Sequence, residues 1–120
     1  MEQKEEEILK KIVKLSEDIQ KNPNNDSNFN QRGNYYYELK KYDEAITDYS
    51  EAIKINPKNA TYYNYRGNAY YSLKKYDEAI ADYSEAIKIN PKNAAYYNNR
   101  GNVYYNLKKY DEAIADYSEA

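Results

Sequence analysis

The sequence predicts an all-α protein built as a solenoid of stacked antiparallel helix hairpins. Three observations predict it. Landmark residues recur at a step of 34: Gly33, Gly67 and Gly101; Tyr42, Tyr76 and Tyr110; Ala45, Ala79 and Ala113. Apolar positions within each unit step by three and four, which is the spacing of one helix face. Asparagine-proline pairs at 22–23, 56–57 and 90–91 punctuate the units at the same interval. The copies are close. Residues 60–86 differ from 94–120 only at Thr61/Ala95, Tyr65/Asn99, Ala69/Val103 and Ser72/Asn106. A fixed period of this size is the signature of a helical array whose units bury one another's apolar faces.

The elements follow in order along the chain. Residues 1–25 form an N-terminal capping helix that is a remnant second helix, because 16–25 aligns with 50–59. Its Ile12, Leu15 and Ile19 take the places of Ile46, Tyr49 and Ile53, whereas Lys11 and Asp18 replace Ala45 and Ala52. One solvated face is the expected consequence. Three units come next, at 26–59, 60–93 and 94–120, the last truncated in its second helix. In the middle unit, Tyr63, Gly67, Tyr70 and Leu73 make the stripe of a first helix. Tyr76, Ala79, Ile80, Tyr83, Ala86 and Ile87 make that of a second. Asp77 and Glu78 sit in the first turn of the second helix, where its dipole favours acids. Asn90 before Pro91 ends it, since a residue preceding proline avoids helical dihedrals. Gly67 and Ala79 are small enough to let two helices approach, with large tyrosines filling the space beside them.

These residues resemble the tetratricopeptide repeat. That family carries an aromatic, Gly, Tyr, Ala, an aromatic, Ala and Pro where this chain has Tyr63, Gly67, Tyr70, Ala79, Tyr83, Ala86 and Pro91. The resemblance spans all three units. It implies a right-handed superhelix, an α-solenoid whose first helices line a concave, protein-binding groove. One position departs from it. The family favours leucine before the glycine, and here stand Arg32, Arg66 and Arg100, each followed 16 residues later by Asp48, Asp82 or Asp116. An ion pair from first helix to second is expected within each unit, since an arginine beside a core glycine needs a partner.

Composition excludes several function classes. The chain has 120 residues, 18 of them basic and 20 acidic, for a net charge of −2. That balance gives no reason to expect nucleic acid or an anionic membrane as partner. Without cysteine or histidine the usual thiolate, imidazole and zinc chemistries are closed, and no cofactor or metal is expected. Ser50, Ser84 and Ser118 recur without a histidine base, and the glycines are isolated rather than gathered in a phosphate loop. The chain therefore does not read as an enzyme. The N-terminus is too charged for a secretory signal, and no apolar run approaches a membrane span, so cytoplasm is the default. The 18 tyrosines against one phenylalanine mean that tyrosine supplies much of the core, with its hydroxyl reaching the edge.

The candidate binding face lies on the first helices. Asparagine follows each core aromatic, at Asn30, Asn64 and Asn98, and recurs four residues on, at Asn34, Asn68 and Asn102. Tyr37, Tyr71 and Tyr105 come three beyond those, and Tyr65 adds to the face. Steps of three and four align each set, and the family resemblance places the face in the groove. An amide offers a donor and an acceptor, the complement of a peptide group. Helices ~8–10 Å apart and a strand rising ~3.3 Å per residue let each unit address about every third residue of an extended peptide. A plain solvated face, copied by duplication, is the competing reading. Some family members clamp a chaperone's C-terminal carboxylate with Lys, Arg and Asn. The matching positions here are Asn30, Asn34, Tyr65, Ala95 and Asn99, so the basic members are missing and that ligand is not expected. The paired lysines at 40–41, 74–75 and 108–109 read as solvated turns.

The leading expectation is thus a scaffold that binds another protein or peptide. The alternative is an assembly element. The chain stops at Ala120 inside a second helix, without a closing loop, which suggests a longer array or self-association through an open C-terminal end. A duplicated array with no ligand of its own is the third reading.

Overall fold

The computed structural model describes residues 2–120. Among them are seven α-helices and no strands: α1 (Glu2–Lys21), α2 (Asp26–Glu38), α3 (Tyr42–Ile55), α4 (Ala60–Ser72), α5 (Tyr76–Ile89), α6 (Ala94–Asn106) and α7 (Tyr110–Glu119). The chain divides into two compact units, Met1–Pro57 and Lys58–Ala120. The first holds α1–α3 and the second α4–α7.

The helix ends repeat as faithfully as the helices do. Asn25, Asn59 and Asn93 cap α2, α4 and α6, each side chain accepting from a main-chain N–H of the first turn. An asparagine cap satisfies a donor that the helix itself leaves orphaned. Each first helix then ends in a Schellman turn. Lys41 N–H donates to Tyr36 C=O at 2.8 Å, and Lys40 N–H to Tyr37 C=O at 2.9 Å. That turn needs a left-handed residue, usually glycine. Here lysine takes it, at φ 62° for Lys40, 61° for Lys74 and 61° for Lys108.

In the first unit, Ile8, Ile12 and Leu15 of α1 are buried, with Phe29 of α2 and Ala45, Tyr49 and Ala52 of α3. Lys11, in an alanine's place, is exposed and lays its ammonium over the Tyr35 ring, 5.5 Å from the centroid. In the second unit, Ala79 and Tyr83 of α5 cluster with Val103 of α6, and Ala86 clusters with Ala60 and Tyr96. Two readings of the packing change here. The buried first-helix residues include Tyr62, Tyr96, Ala69 and Val103, outside the expected stripe, while Tyr63 and Tyr70 are half-buried. The reason is that α6 is covered from two sides, by α7 and by α5 of the preceding hairpin, so a wider arc is shielded than one hairpin requires. The glycine also has a different neighbour. A Cβ on Gly67 would lie 2.8 Å from Cε1 of Tyr83, and Gly33 and Gly101 face Tyr49 and Tyr117 at the same distance. The glycines therefore seat a tyrosine ring, and Ala79 clusters with Val103 of α6.

The expected ion pairs are present in all three hairpins. Arg32 donates through Nε and Nη2 to both carboxylate oxygens of Asp48, at 2.8 and 2.7 Å. Arg66 grips Asp82 at the same distances, and Arg100 grips Asp116 at 2.8 Å through both. The arginine planes lie between two rings of their own helix, Phe29 and Tyr36, Tyr63 and Tyr70, or Tyr97 and Tyr104. A third partner reaches in from the preceding second helix. Arg100 Nη1 donates to Ser84 Oγ at 3.0 Å, and Arg32 Nη1 to Ser16 Oγ of α1 at 3.0 Å. The arginine thus ties three helices through its rigid fork of donors.

Candidate binding face

Each first helix presents its asparagines and tyrosines on the flank next to the core. Asn30, Asn34, Tyr37, Asn64, Tyr65, Asn68 and Tyr71 are half-buried, and Asn98, Asn102 and Tyr105 are exposed. Several of them are held by a neighbouring helix. Tyr49 O–H donates to Asn34 Oδ1, Tyr83 O–H to Asn68 Oδ1 and Tyr117 O–H to Asn102 Oδ1, each at 2.6 Å. These links join the first helix of a hairpin to its second. Tyr37, Tyr71 and Tyr105 lean on the first tyrosine of the following helix, with centroids 5.2, 5.7 and 5.6 Å from Tyr42, Tyr76 and Tyr110. Such aromatic pairs add packing energy beyond their area.

Inside the second unit the two first helices are also tied to each other. Asn99 Nδ2 donates to Asn64 Oδ1 at 2.9 Å, and Asn106 Nδ2 to Tyr71 O–H at 2.6 Å. Asn99 and Asn106 therefore belong to this surface, together with Tyr83 and Tyr117 behind it. The sequence carries a signal for the two tyrosines. Tyr49, Tyr83 and Tyr117 each stand 15 residues after an asparagine of the face. Neither α4 nor α6 contains an acidic residue, so this surface offers amides and hydroxyls but no carboxylate. Asn30 Oδ1 is buried without a hydrogen-bond partner.

The charged groups nearby are spoken for. Donating to Asp48, Asp82 and Asp116 raises the pKa of Arg32, Arg66 and Arg100 further above its already high value, against the cost of burial. Burial pushes the Asp48 and Asp82 carboxyls up from 3.8, and the guanidinium beside each pulls back only partly. No group of three or more acids is placed to hold a metal ion among the described residues. No helix among them is long and apolar enough to cross a membrane.

A family model described as TPR repeat matches residues 33–74 and 67–108. The chain belongs to the tetratricopeptide repeat family. Solved structures of the family superimpose closely. The Arabidopsis OM64 TPR domain is 37% identical at a TM-score of 0.74, covering 76% of this chain and 75% of that one. The first TPR of Spaghetti (RPAP3), bound to the HSP90 peptide SRMEEVD, is 34% identical at 0.74, covering 76% and 72%. A crystal structure of MamA is 24% identical at 0.88 and shares the fold. It covers 90% of this chain, which spans only 63% of the MamA chain. No curated protein gives a significant match. Repeats of this family typically serve as non-enzymatic scaffolds for protein–protein interaction.

Proposed function

We propose that this tetratricopeptide repeat protein holds an extended segment of another polypeptide along its first helices. The residues we assign to the contact are Asn30, Asn34, Tyr37, Asn64, Tyr65, Asn68, Tyr71, Asn98, Asn102 and Tyr105. One observation carries the reading. In the second unit, α4 and α6 are cross-linked through Asn64 and Tyr71, so two successive repeats present one prearranged polar surface. Side chains already fixed by packing lose little entropy when a ligand arrives. Tyrosine rings add contact area at low conformational cost. The peptide-bound Spaghetti TPR lends support from a relative of the same fold. Its peptide is not the ligand expected here, because Tyr65, Ala95 and Asn99 supply no positive charge for an acidic tail.

In the same reading α1 is a remnant second helix that caps the first repeat. Its Ser16 meets Arg32 as Ser84 meets Arg100, which supports that register. The test of the binding reading is the double substitution Asn64→Ala with Asn68→Ala. Each removes a hydrogen bond worth about 1 kcal/mol, so helicity by circular dichroism should persist. A partner captured by the wild type should be lost. Undiminished capture by the folded double variant would sink the reading.

A second reading has its own observation. On α7 the side chains of Tyr110, Ile114 and Tyr117 are exposed, the isoleucine at 62%, whereas Tyr83, the counterpart of Tyr117 on α5, is buried. Self-association through this face is the function it would serve.

A further inference from the structure

We propose that the second-helix tyrosines set the polarity of the binding face. Tyr49, Tyr83 and Tyr117 hold the asparagine amides with their NH2 ends outward, so the face recognises hydrogen-bond acceptors in its ligand. The acceptor is a main-chain carbonyl of an extended segment or a carboxylate. This inference rests on the peptide-binding reading of the same face and adds to it which end of the peptide group is read.

The argument begins with the amide. An asparagine has an acceptor at one end and two donors at the other, and only the end that faces outward can meet a ligand. In Asn34, Asn68 and Asn102 the oxygen receives a tyrosine hydroxyl at 2.6 Å. Those hydroxyls are not free to wander. The Tyr49 and Tyr83 rings are 1% and 2% exposed, and each is seated against a glycine where a Cβ would come within 2.8 Å. Asn64 spends its oxygen on Asn99, and the oxygen of Asn30 is buried. The asparagines at 30, 34, 64, 68 and 102 therefore share one sense, oxygen engaged or buried. The Nδ2 groups of Asn34, Asn68 and Asn102 donate to no other described group, which leaves them available.

The surroundings agree with the same sense. With no acid on α4 or α6, no carboxylate on these helices competes to accept from the amides of Asn68 and Asn102. Arg66 and Arg100 are already paired with Asp82 and Asp116, so the donors of the face are neutral. Neutral donors in a row suit carbonyl oxygens spaced along a main chain, and they suit a carboxylate equally in kind. A face of freely turning amides would read donors and acceptors alike. Tyr49, Tyr83 and Tyr117 are positioning residues, which act on the ligand only through the asparagines.

The experiment follows the side-chain amide NMR signals of Asn68 and Asn102 during titration with three small probes. N,N-dimethylacetamide has a carbonyl and no N–H, acetate is a carboxylate, and guanidinium is a donor without an acceptor. Both amides should shift saturably with dimethylacetamide, acetate or both, which separates the carbonyl from the carboxylate source, and not with guanidinium. Tyr83→Phe keeps the ring and removes the hydroxyl. It should weaken the Asn68 response about fivefold, the worth of one ordinary hydrogen bond, and leave Asn102 unchanged. Tyr117→Phe should do the converse, and its ring is more exposed, so it serves if the first variant does not fold. A guanidinium response equal to that of the acceptors overturns the inference. So does silence toward both acceptors, or tyrosine variants that respond as the wild type does. These probes need no protein partner. Partner capture lost in the double asparagine variant, alongside unaltered probe responses in the tyrosine variants, removes the polarity inference alone. Retained capture removes the peptide-binding reading beneath it.

Discussion

Arg66 and Asp82 show what a single residue pair contributes and what it costs. Both are largely withdrawn from water, and the guanidinium satisfies both carboxylate oxygens at once. A buried pair of this kind is a weak source of net stability, but breaking it is expensive because one charge stays behind unpaired. Arg66→Met should therefore cost ~3–5 kcal/mol in urea unfolding. Joined with Asp82→Asn it should cost clearly less than the sum of the two singles. Additive effects would mean that the pair is not energetically coupled. The carboxylate also gives a pH dependence with a definite sign. Burial, its largest influence, raises the Asp82 pKa above 3.8 in the folded chain, while the Arg66 hydrogen bond opposes the rise. The folded state then holds the proton more tightly than the unfolded one. The stability from this group is full below 3.8 and is lost as pH rises through the folded value. Measured against Asp82→Asn, which does not titrate, the wild type should lose relative stability as pH is raised through that window. A relative gain over the same range would show that the arginine outweighs burial.

At the scale of the element, the hairpin turn is where the chain accepts strain. Lys40, Lys74 and Lys108 occupy the left-handed region so that each Schellman turn can close. A side chain there costs roughly 1–2 kcal/mol, a cost that glycine avoids. Lys74→Gly should raise stability by about 1 kcal/mol, because glycine loses part of the gain to its greater freedom when unfolded. A lower unfolding midpoint would show that the lysine makes a compensating contact. The helices themselves were readable from the sequence. Their stripes, the acids at the second-helix start and the stop at Asn90-Pro91 are all local signals. The caps at Asn25, Asn59 and Asn93 were equally local, at the same step of 34, and were obscured by the abundance of asparagine in loops. The buried arc is wider than the stripe within one helix predicts. Tyr96 and Val103 point toward α5 of the preceding hairpin, and no pattern within one helix reports a neighbour that lies on its other side.

For the whole molecule, the tetratricopeptide repeat family accounts for the scaffold, and the ligand is where prediction has to be tested. The self-association reading makes a separate claim on the molecule. Its apparent mass in sedimentation should rise with concentration, and Ile114→Lys should hold it monomeric by placing a charge on the exposed α7 face. A wild type that stays monomeric at every concentration leaves that reading without support. By itself the sequence determined the repeat period, the all-α hairpin architecture and the pairing of each arginine with the aspartate 16 residues on, because periodicity and charge need no coordinates to be seen. It also pointed to the asparagine and tyrosine face. Only the tertiary structure decided which way those amides turn, which ring each glycine seats and how α4 and α6 are joined. The physical reason is that an amide's direction is chosen by a hydroxyl on another helix. Partners of that kind are fixed by packing in space and leave the letters of the chain unchanged.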